Sequence, residues 1–253
     1  MNKVLEKIGE TGIIPVVVLN DAKDAEPLAE ALVKGGLPCA EVTFRTAAAE
    51  ECIKLMSKKF PEMFVGAGTV LTTEQVDRAI GAGAKFIVSP GFNPKVVEYC
   101  IKNNYPVCPG IMTPTEIEMA LGFGLDRVKF FPAEQAGGLK MIKALAGPYT
   151  KLKFMPTGGL NAQNILDLTA HFGSHILQGA VSVHGIGSEV LADQSTGSTH
   201  TAGNSSISVI FQFLNIVQLQ LGFFAGVVDF ELLQKFQSRT GRAAATSTDN
   251  SCA

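Results

Sequence analysis

Two short segments carry side chains that could do covalent chemistry, and the first contains a lysine. In the sequence R-V-K-F-F-P, the alternation of a strand puts Lys129 and Phe131 on one face and Val128 and Phe130 on the other. Burying a lysine only for packing is costly, and burial favours the neutral amine that attacks a ketone to form an imine. A lysine that reaches solvent or pairs with a carboxylate explains this segment equally well.

The second segment, E-V-T-F-R, places Glu41, Thr43 and Arg45 on one face of a strand. Glu41 could transfer protons as general acid and base, and Arg45 could hold a substrate carboxylate through two parallel hydrogen bonds. In the alternative arrangement the polar face points outwards, and Val42 and Phe44 fill the interior. We favour the inward arrangement, which together with the lysine predicts imine chemistry on a keto acid.

Glycines end two of the candidate strands. Residues 66–69 (GAGT) have small side chains that leave room for a ligand and expose backbone N–H groups, although such glycines more often serve tight turns. Residues 156–159 (PTGG) precede Asn161, a helix cap. In many barrels the loops after the seventh and eighth strands bind phosphate on N–H groups at helix N-termini. The second segment therefore predicts a phosphate-binding turn.

Short apolar runs alternate with amphipathic segments through the first 180 residues. This pattern predicts an α/β protein, a (β/α)₈ TIM barrel with an atypical C-terminal segment. An open, doubly wound sheet is the rival fold, but the first strand–helix turn lacks its glycine-rich fingerprint. The predicted strands are 13–19, 37–44, 63–69, 85–88, 106–108, 127–131, 153–157 and 174–177. The predicted helices are 22–34, 47–58, 73–82, 94–103, 113–123, 138–145 and 161–170.

Composition narrows the class of partner. Lys and Arg number 21 and Asp and Glu 23 among 253 residues, with no basic run, so we expect a small-molecule substrate and no nucleic acid. Four of the five cysteines lie in apolar or helical patterns, which indicates buried free thiols. The N-terminal residues lack the apolar stretch of a secretory signal. We therefore expect a cytoplasmic protein.

The pattern changes towards the C-terminus, and we divide the chain into a barrel domain, 1–190, and an atypical, partly disordered segment, 191–253. Residues 207–228 are uncharged and long enough to cross a bilayer, but four amides and two glycines argue against a membrane helix. His171 and His175 have the spacing of helix-borne metal ligands but lack the acidic partner of such motifs. We therefore predict neither a membrane span nor a metal site.

Seven motifs, in the order of the predicted barrel, resemble those of the 2-keto-3-deoxy-6-phosphogluconate aldolases, also called KHG/KDPG aldolases. The resemblance covers about residues 1–179. The motifs are EVTFRT (41–46), VGAGTVL (65–71), SPG (89–91), PGI-x-TPTE (109–116), VKFFPAE (128–134), LAGPY (145–149) and PTGG (156–159).

The resemblance implies a lyase of the Entner-Doudoroff pathway, a homotrimer without cofactor or metal. It implies cleavage of 2-keto-3-deoxy-6-phosphogluconate to pyruvate and glyceraldehyde 3-phosphate, and of 4-hydroxy-2-oxoglutarate to pyruvate and glyoxylate. Lys129 would form the Schiff base and Glu41 would transfer protons. The residues that would bind substrate are Arg45 and Thr69 at the carboxylate, Pro90, Phe131 and Thr157 around the pocket, and Gly158 and Gly159 at the phosphate.

The sequence departs from the family pattern after Gly179. Similar proteins continue the eighth strand into a Gly-Gly-Ser-Trp turn that completes the phosphate site, whereas this chain continues AVSVHG (180–185) and contains no tryptophan. The departure predicts weaker binding of the phosphorylated substrate. Two alternatives stay open: an aldolase for 2-keto-3-deoxy-6-phosphogalactonate, and a catalytically silent barrel that binds phosphate-bearing ligands or assembles into oligomers.

Overall fold

Strands and helices alternate through residues 3–160 and 179–184, which the computed structural model describes. The strands are β1 Ile13–Val18, β2 Cys39–Thr43, β3 Phe64–Gly68, β4 Ile87–Val88, β5 Val107–Cys108, β6 Gly110–Ile111, β7 Arg127–Phe130, β8 Lys153–Pro156 and β9 Gly179–His184. The helices are α1 Lys3–Thr11, α2 Ala25–Lys34, α3 Ala49–Lys59, α4 Thr73–Gly81, α5 Pro94–Lys102, α6 Pro114–Gly122 and α7 Gly138–Ala146.

The strands run parallel in the order of a barrel. One sheet has the order β5-β4-β3-β2-β1-β9 and the other β6-β7-β8. Only Pro109 separates β5 from β6, and its carbonyl accepts a hydrogen bond from Lys129 N of β7 at 2.8 Å. β5 and β6 are therefore two halves of one barrel strand, interrupted where proline has no N–H to donate. β8 also contacts β9, and β9 pairs with β1. The strands therefore close into a ring, and the predicted barrel is confirmed.

The outward faces of the strands form the layer on which the helices pack. Val42, Val65 and Ile87 belong to the cluster that packs under α2 to α5. Side chains cap the starts of α4, α5 and α6, as at Thr72, whose hydroxyl accepts from Gln75 N. This layer leaves the inward faces free for the polar residues of the site.

Three elements of the structure differ from the prediction. Residues 22–34 form a 3₁₀ turn, Ala22–Asp24, before α2, because Asp21 accepts from Lys23 N and caps that turn first. Helix α1 was not predicted, since its residues mix charge with single apolar side chains; Leu5 is its buried contact. The strand that pairs with β1 is Gly179–His184, which lies after the strand predicted at 174–177. Its register with β1 runs from Ile13↔Gly179 to Val18↔His184.

Several predictions fall on residues that the structure does not describe. These are the strand 174–177, the helix 161–170, the histidine pair, the boundary near residue 190 and the segment 191–253, all of which stay predictions. Four cysteines (Cys39, Cys52, Cys100 and Cys108) are buried free thiols, as predicted, and Cys252 lies outside the described residues. No helix in the described part of the chain is long and apolar enough to cross a membrane.

Candidate active site

Lys129 and Glu41 face each other inside the barrel. Lys129 Nζ lies 3.2 Å from Glu41 Oε1, and the two residues are 5% and 1% exposed. The phenyl ring of Phe131 lies 5.3 Å from the same nitrogen. The second carboxylate oxygen, Oε2, has no hydrogen-bond partner among the described residues. An amine and a carboxylate with a spare acceptor atom are thus held together where little water reaches them.

The strand pattern accounts for this encounter. Glu41 is the third residue of β2 and Lys129 the third of β7, and their neighbours Val42 and Val128 are buried in the outer layer. Thr43, also inward, donates to the carbonyl of Val17 at 3.0 Å, so its hydroxyl ties β2 to β1. Lys129 is paired with a carboxylate, as the alternative interpretation of its segment predicted.

The glycines of β3 make room for protein atoms rather than for a ligand, which corrects the interpretation of G-A-G-T. A Cβ at Gly66 would lie 2.2 Å from the ring of Phe86, and a Cβ at Gly68 would lie 2.1 Å from Glu41 Oε1. Both distances are far below van der Waals contact. Gly68 therefore creates the space that the Glu41 carboxylate occupies.

Arg45 and Thr69 form a second pair at the mouth of the barrel. Arg45 Nε donates to Thr69 Oγ1 at 3.2 Å, and Arg45 is exposed. Thr69 has φ +56°, which is unfavourable for a β-branched residue. A strained residue is kept only where surrounding contacts hold it. In this conformation the Thr69 hydroxyl accepts the hydrogen bond from Arg45. Thr69 directly follows Gly68, beside which the Glu41 carboxylate lies.

Pro90 lies on the loop after β4, close to the lysine strand. A Cβ at Gly110 would lie 2.1 Å from the Pro90 carbonyl oxygen, so this loop packs directly on the backbone of β6. Gly110 is in turn the register partner of Lys129. Ser89, 2% exposed, donates to the carbonyl of Gly91 at 2.8 Å and fixes the loop. The predicted pocket residue Pro90 thus lies one strand away from the lysine.

The ends of β7 and β8 are joined around Phe131. Ala133 N donates to Thr157 O at 2.8 Å, and Thr157 N donates to Phe130 O at 2.9 Å. Gly158 has φ +97°, and a Cβ there would lie 3.2 Å from the Phe131 ring. Thr157 itself is buried.

Gly159 continues this turn on the exposed side. It has φ +74°, and a Cβ there would lie 2.6 Å from Glu134 Cβ. The turn can therefore adopt its path only with glycine at this position. The structure places the four predicted residues of the two strand ends, 131 and 157–159, in one cluster.

The inward side chains of Cys108 and Arg127 were not among the predicted site residues. Cys108 of β5 lies close enough to Lys129 and Glu41 to feel their charges, and burial raises the pKa of its thiol to about 12. Arg127 is 4% exposed and precedes Lys129 by two residues. Period two along β7 could have identified Arg127, since residues 127, 129 and 131 share a face.

The chain matches the family model described as "KDPG and KHG aldolase" over residues 4–188. It is 50% identical over 171 residues to 2-dehydro-3-deoxy-phosphogluconate aldolase of Treponema pallidum, a match that covers 68% of this chain and 81% of that protein. It is 42% identical over 166 residues to the KHG/KDPG aldolase of Escherichia coli, covering 65% and 78%.

The chain belongs to the KDPG and KHG aldolase family. The match extends beyond Gly179, where the sequence resemblance ended, and includes β9.

Two solved structures of family members are also similar. The 2-keto-3-deoxy-6-phosphogluconate aldolase of Zymomonas mobilis, crystallised with 3-phosphoglycerate, has a TM-score of 0.69 at 32% identity, covering 87% of this chain and 96% of that chain. The KDPG aldolase of Legionella pneumophila, with pyruvate captured as a covalent carbinolamine, has a TM-score of 0.67 at 36% identity, covering 73% and 88%. Among the described residues, no group of three or more His, Cys, Asp or Glu could hold a metal ion.

Proposed function

We propose that the chain is a class I aldolase that cleaves 2-keto-3-deoxy-6-phosphogluconate to pyruvate and glyceraldehyde 3-phosphate, and 4-hydroxy-2-oxoglutarate to pyruvate and glyoxylate. The buried pair of Lys129 and Glu41, 3.2 Å apart, carries the proposal. Binding alone needs neither an interior amine nor an interior carboxylate, both of which are costly to bury. The names of the two relatives and the captured carbinolamine of the Legionella protein support the same chemistry.

Lys129 provides the nucleophile of the proposed reaction. Its neutral amine attacks the C2 ketone, and loss of water gives an iminium ion that draws electrons from the neighbouring carbon–carbon bond. Glu41 then removes the proton of the C4 hydroxyl, so that the bond between C3 and C4 breaks and the aldehyde leaves. The same carboxyl returns the proton to C3 of the enamine, which gives the iminium ion of pyruvate. Water then adds to C2, and cleavage of the C–N bond releases pyruvate and the Lys129 amine. Glu41 Oε2, without a partner among the described residues, is the atom we assign to this transfer.

Arg45 and Thr69 bind the carboxylate of the keto acid in this mechanism. The pair lies at the exposed end of β2 and β3, beyond Glu41, where a carboxylate at C1 would extend from a ketone bound at Lys129. Arg45 offers two parallel N–H donors, and the hydroxyl of Thr69 offers a third. Pro90, Phe131 and Thr157 would line the pocket beside the reacting carbons.

Arg45→Lys should raise KM for both substrates about tenfold while changing kcat little. Lysine keeps the charge but loses the bidentate geometry, and one lost hydrogen bond to a charged group costs about 1.5–3 kcal/mol. Steady-state kinetics of pyruvate release measures this effect. Arg78→Lys is the matched control, because Arg78 pairs with exposed Glu50. A fall in kcat with unchanged KM would place Arg45 outside the carboxylate site.

Gly158 and Gly159 bind the phosphate in the proposed complex, and Gly159→Ala should affect the phosphorylated substrate selectively. The new Cβ would clash with Glu134 and distort the turn, so kcat/KM for 2-keto-3-deoxy-6-phosphogluconate should fall about tenfold more than for 4-hydroxy-2-oxoglutarate. Gly124→Ala is the control, since Gly124 has φ +76° but no atom within 4 Å of an added Cβ. Equal losses on both substrates would show that the turn supports folding only.

The residues after Gly179 also affect the expected preference between the phosphorylated and the unphosphorylated substrate. The departure from the Gly-Gly-Ser-Trp turn leads us to propose that the chain favours 4-hydroxy-2-oxoglutarate more than its relatives do. Side-by-side kcat/KM values for the two substrates, with the Escherichia coli protein as reference, test this preference.

A coupled assay of the wild-type chain tests the proposed activity. We expect pyruvate release from both substrates, measured by its reduction with NADH and lactate dehydrogenase. 2-Keto-3-deoxy-6-phosphogalactonate provides the comparison for the related aldolase activity. If none of the three substrates releases pyruvate, the alternative of a catalytically silent barrel, which only binds ligands or assembles into oligomers, would be favoured.

We also propose that the protein is a cytoplasmic homotrimer. Exposed large apolar side chains at the mouth of the barrel and on α6 are consistent with contacts between copies; they are Leu71, Met112, Met119 and Leu121. The buried free thiols fit a reducing compartment. Three copies of a 26.8 kDa chain should give a mass of about 80 kDa by light scattering. A mass near one or two copies would contradict the trimer.

A further inference from the structure

Arg127 is a buried cation inside the barrel that the proposed mechanism does not use. Both Arg127 and Lys129 lie on the inward face of β7, roughly 7 Å apart along the strand. A terminal nitrogen of Arg127 donates to the backbone carbonyl of Leu5 in α1. Its Nε lies 3.6 Å from Asp126 Oδ1 and has no hydrogen-bond partner in the part of the chain that the structure describes. A hydrogen bond to Leu5 alone would not require a buried charge.

Titratable side chains immediately before β7 and on β2, β5 and β8 lie near Arg127 and Lys129. Asp126, immediately before β7, is 41% exposed, and water therefore screens its charge. Lys153 is the register partner of Arg127 on β8 and is partly exposed. Charges on Lys129 and Arg127 lower the pKa of the buried Cys108 thiol and those on Glu41 and Asp126 raise it, so all four groups lie within electrostatic reach of that thiol.

Imine formation changes the charge next to Glu41. In the resting pair, the Lys129 ammonium group balances the Glu41 carboxylate. The nitrogen must first lose one proton to solvent. Its lone pair then forms the C–N bond while the carbonyl π electrons move to oxygen, and a proton moves from nitrogen to oxygen to give the carbinolamine. Uptake of a second proton and loss of water yield the positively charged iminium ion.

The free amine and the carbinolamine are therefore both uncharged. At these two stages Glu41 loses its ion-pair partner, and a buried carboxylate without a counter-charge is strongly disfavoured. Arg127 remains charged throughout, because its guanidinium group does not deprotonate in proteins.

We propose that Arg127 is a positioning residue for imine formation, whose fixed positive charge stabilises the Glu41 carboxylate while Lys129 is uncharged. This inference rests on the proposed aldolase function. It assigns to Arg127 an electrostatic role on the rate of imine formation, besides its hydrogen bond to α1.

Borohydride trapping with pyruvate across pH tests the proposal, because it reports imine formation separately from carbon–carbon cleavage. Arg127→Met should slow trapping at neutral pH at least about tenfold and move its half-maximal rate about one unit to higher pH. The direction follows because removal of a neighbouring positive charge favours the protonated amine. Arg127→Lys keeps the charge and should trap within about threefold of the wild-type rate.

Two further variants separate charge from folding. Leu5→Ala removes the buried contact of α1 and should lower Tm without changing the pH profile. Asp126→Asn removes the exposed partner of Arg127 and should move the half-maximal rate to lower pH. If Arg127→Met proves too unstable to purify, Arg127→Gln removes the charge, keeps an N–H donor for the Leu5 carbonyl, and should give the same shift to higher pH.

Three results would overturn the proposal. The first is a wild-type trapping profile in Arg127→Met despite a lowered Tm, which would leave Arg127 as an anchor for α1. The second is trapping by Arg127→Lys that is slowed tenfold or more. The third is a shift of the half-maximal rate to higher pH in Asp126→Asn, against the direction that loss of a negative charge requires. Absence of trapping in the wild-type chain would instead reject the proposed aldolase function itself.

Discussion

Replacing Lys129 with alanine should abolish pyruvate release. Without its amine, no covalent bond to the ketone forms, and the electron sink for carbon–carbon cleavage is lost. Lys129→Arg should be equally inactive, because its guanidinium group is never the neutral nucleophile. Lys143→Ala, at an exposed position of α7, is the control. The coupled assay measures the effect, and turnover above a few per cent of wild type in either variant would rule out a Schiff base at this residue.

The Lys129→Ala variant should also be less stable than the wild type. Truncation leaves the 1% exposed Glu41 carboxylate without its partner, and breaking a buried pair in this way costs about 3–5 kcal/mol. The double variant with Glu41→Gln should recover most of that loss, because no buried charge remains. Urea denaturation of the two variants gives the comparison. Equal stability of the single and double variants would mean that water reaches Glu41 once the lysine is gone.

Glu41→Gln should slow proton transfer by about 10²–10⁴-fold while pyruvate still binds. The amide has nearly the same shape, so it fits the space above Gly68, but it cannot accept and return a proton. Proton NMR of pyruvate methyl exchange in D₂O follows the step directly. Glu118→Gln is the control, because it alters an exposed carboxylate that accepts a hydrogen bond from the Tyr149 hydroxyl. This variant should exchange the methyl protons at the wild-type rate. Wild-type exchange in Glu41→Gln would assign the proton transfer to another group.

The sequence alone predicts the side chains that face the interior but not the atoms they meet there. Period two along β2 and β7 selects Glu41 and Lys129, because one face of each strand must pack under helices. The distance between the two side chains depends on how the barrel brings distant strands together, which no local pattern contains. The resemblance to the family motifs supplied what periodicity could not, namely the prediction that these two residues act together.

Other features were hidden from the sequence for specific physical reasons. The contact of Arg127 with Leu5 spans 122 residues of chain and involves a backbone carbonyl, so residue type gives no indication of it. Gly66 and Gly68 suggest an open ligand site, yet their missing side chains accommodate Phe86 and Glu41. The β-branched Thr69 predicts an extended backbone, whereas its φ is +56°.

The most direct test of the Schiff-base assignment is mass spectrometry of the protein after incubation with pyruvate and borohydride. Trypsin should no longer cut after a modified Lys129, so we expect an uncut peptide of residues 128–140 that carries the mass of one reduced pyruvate. Omission of pyruvate or of borohydride should restore the two shorter peptides. An unmodified Lys129, or the added mass on another lysine, would contradict the assignment.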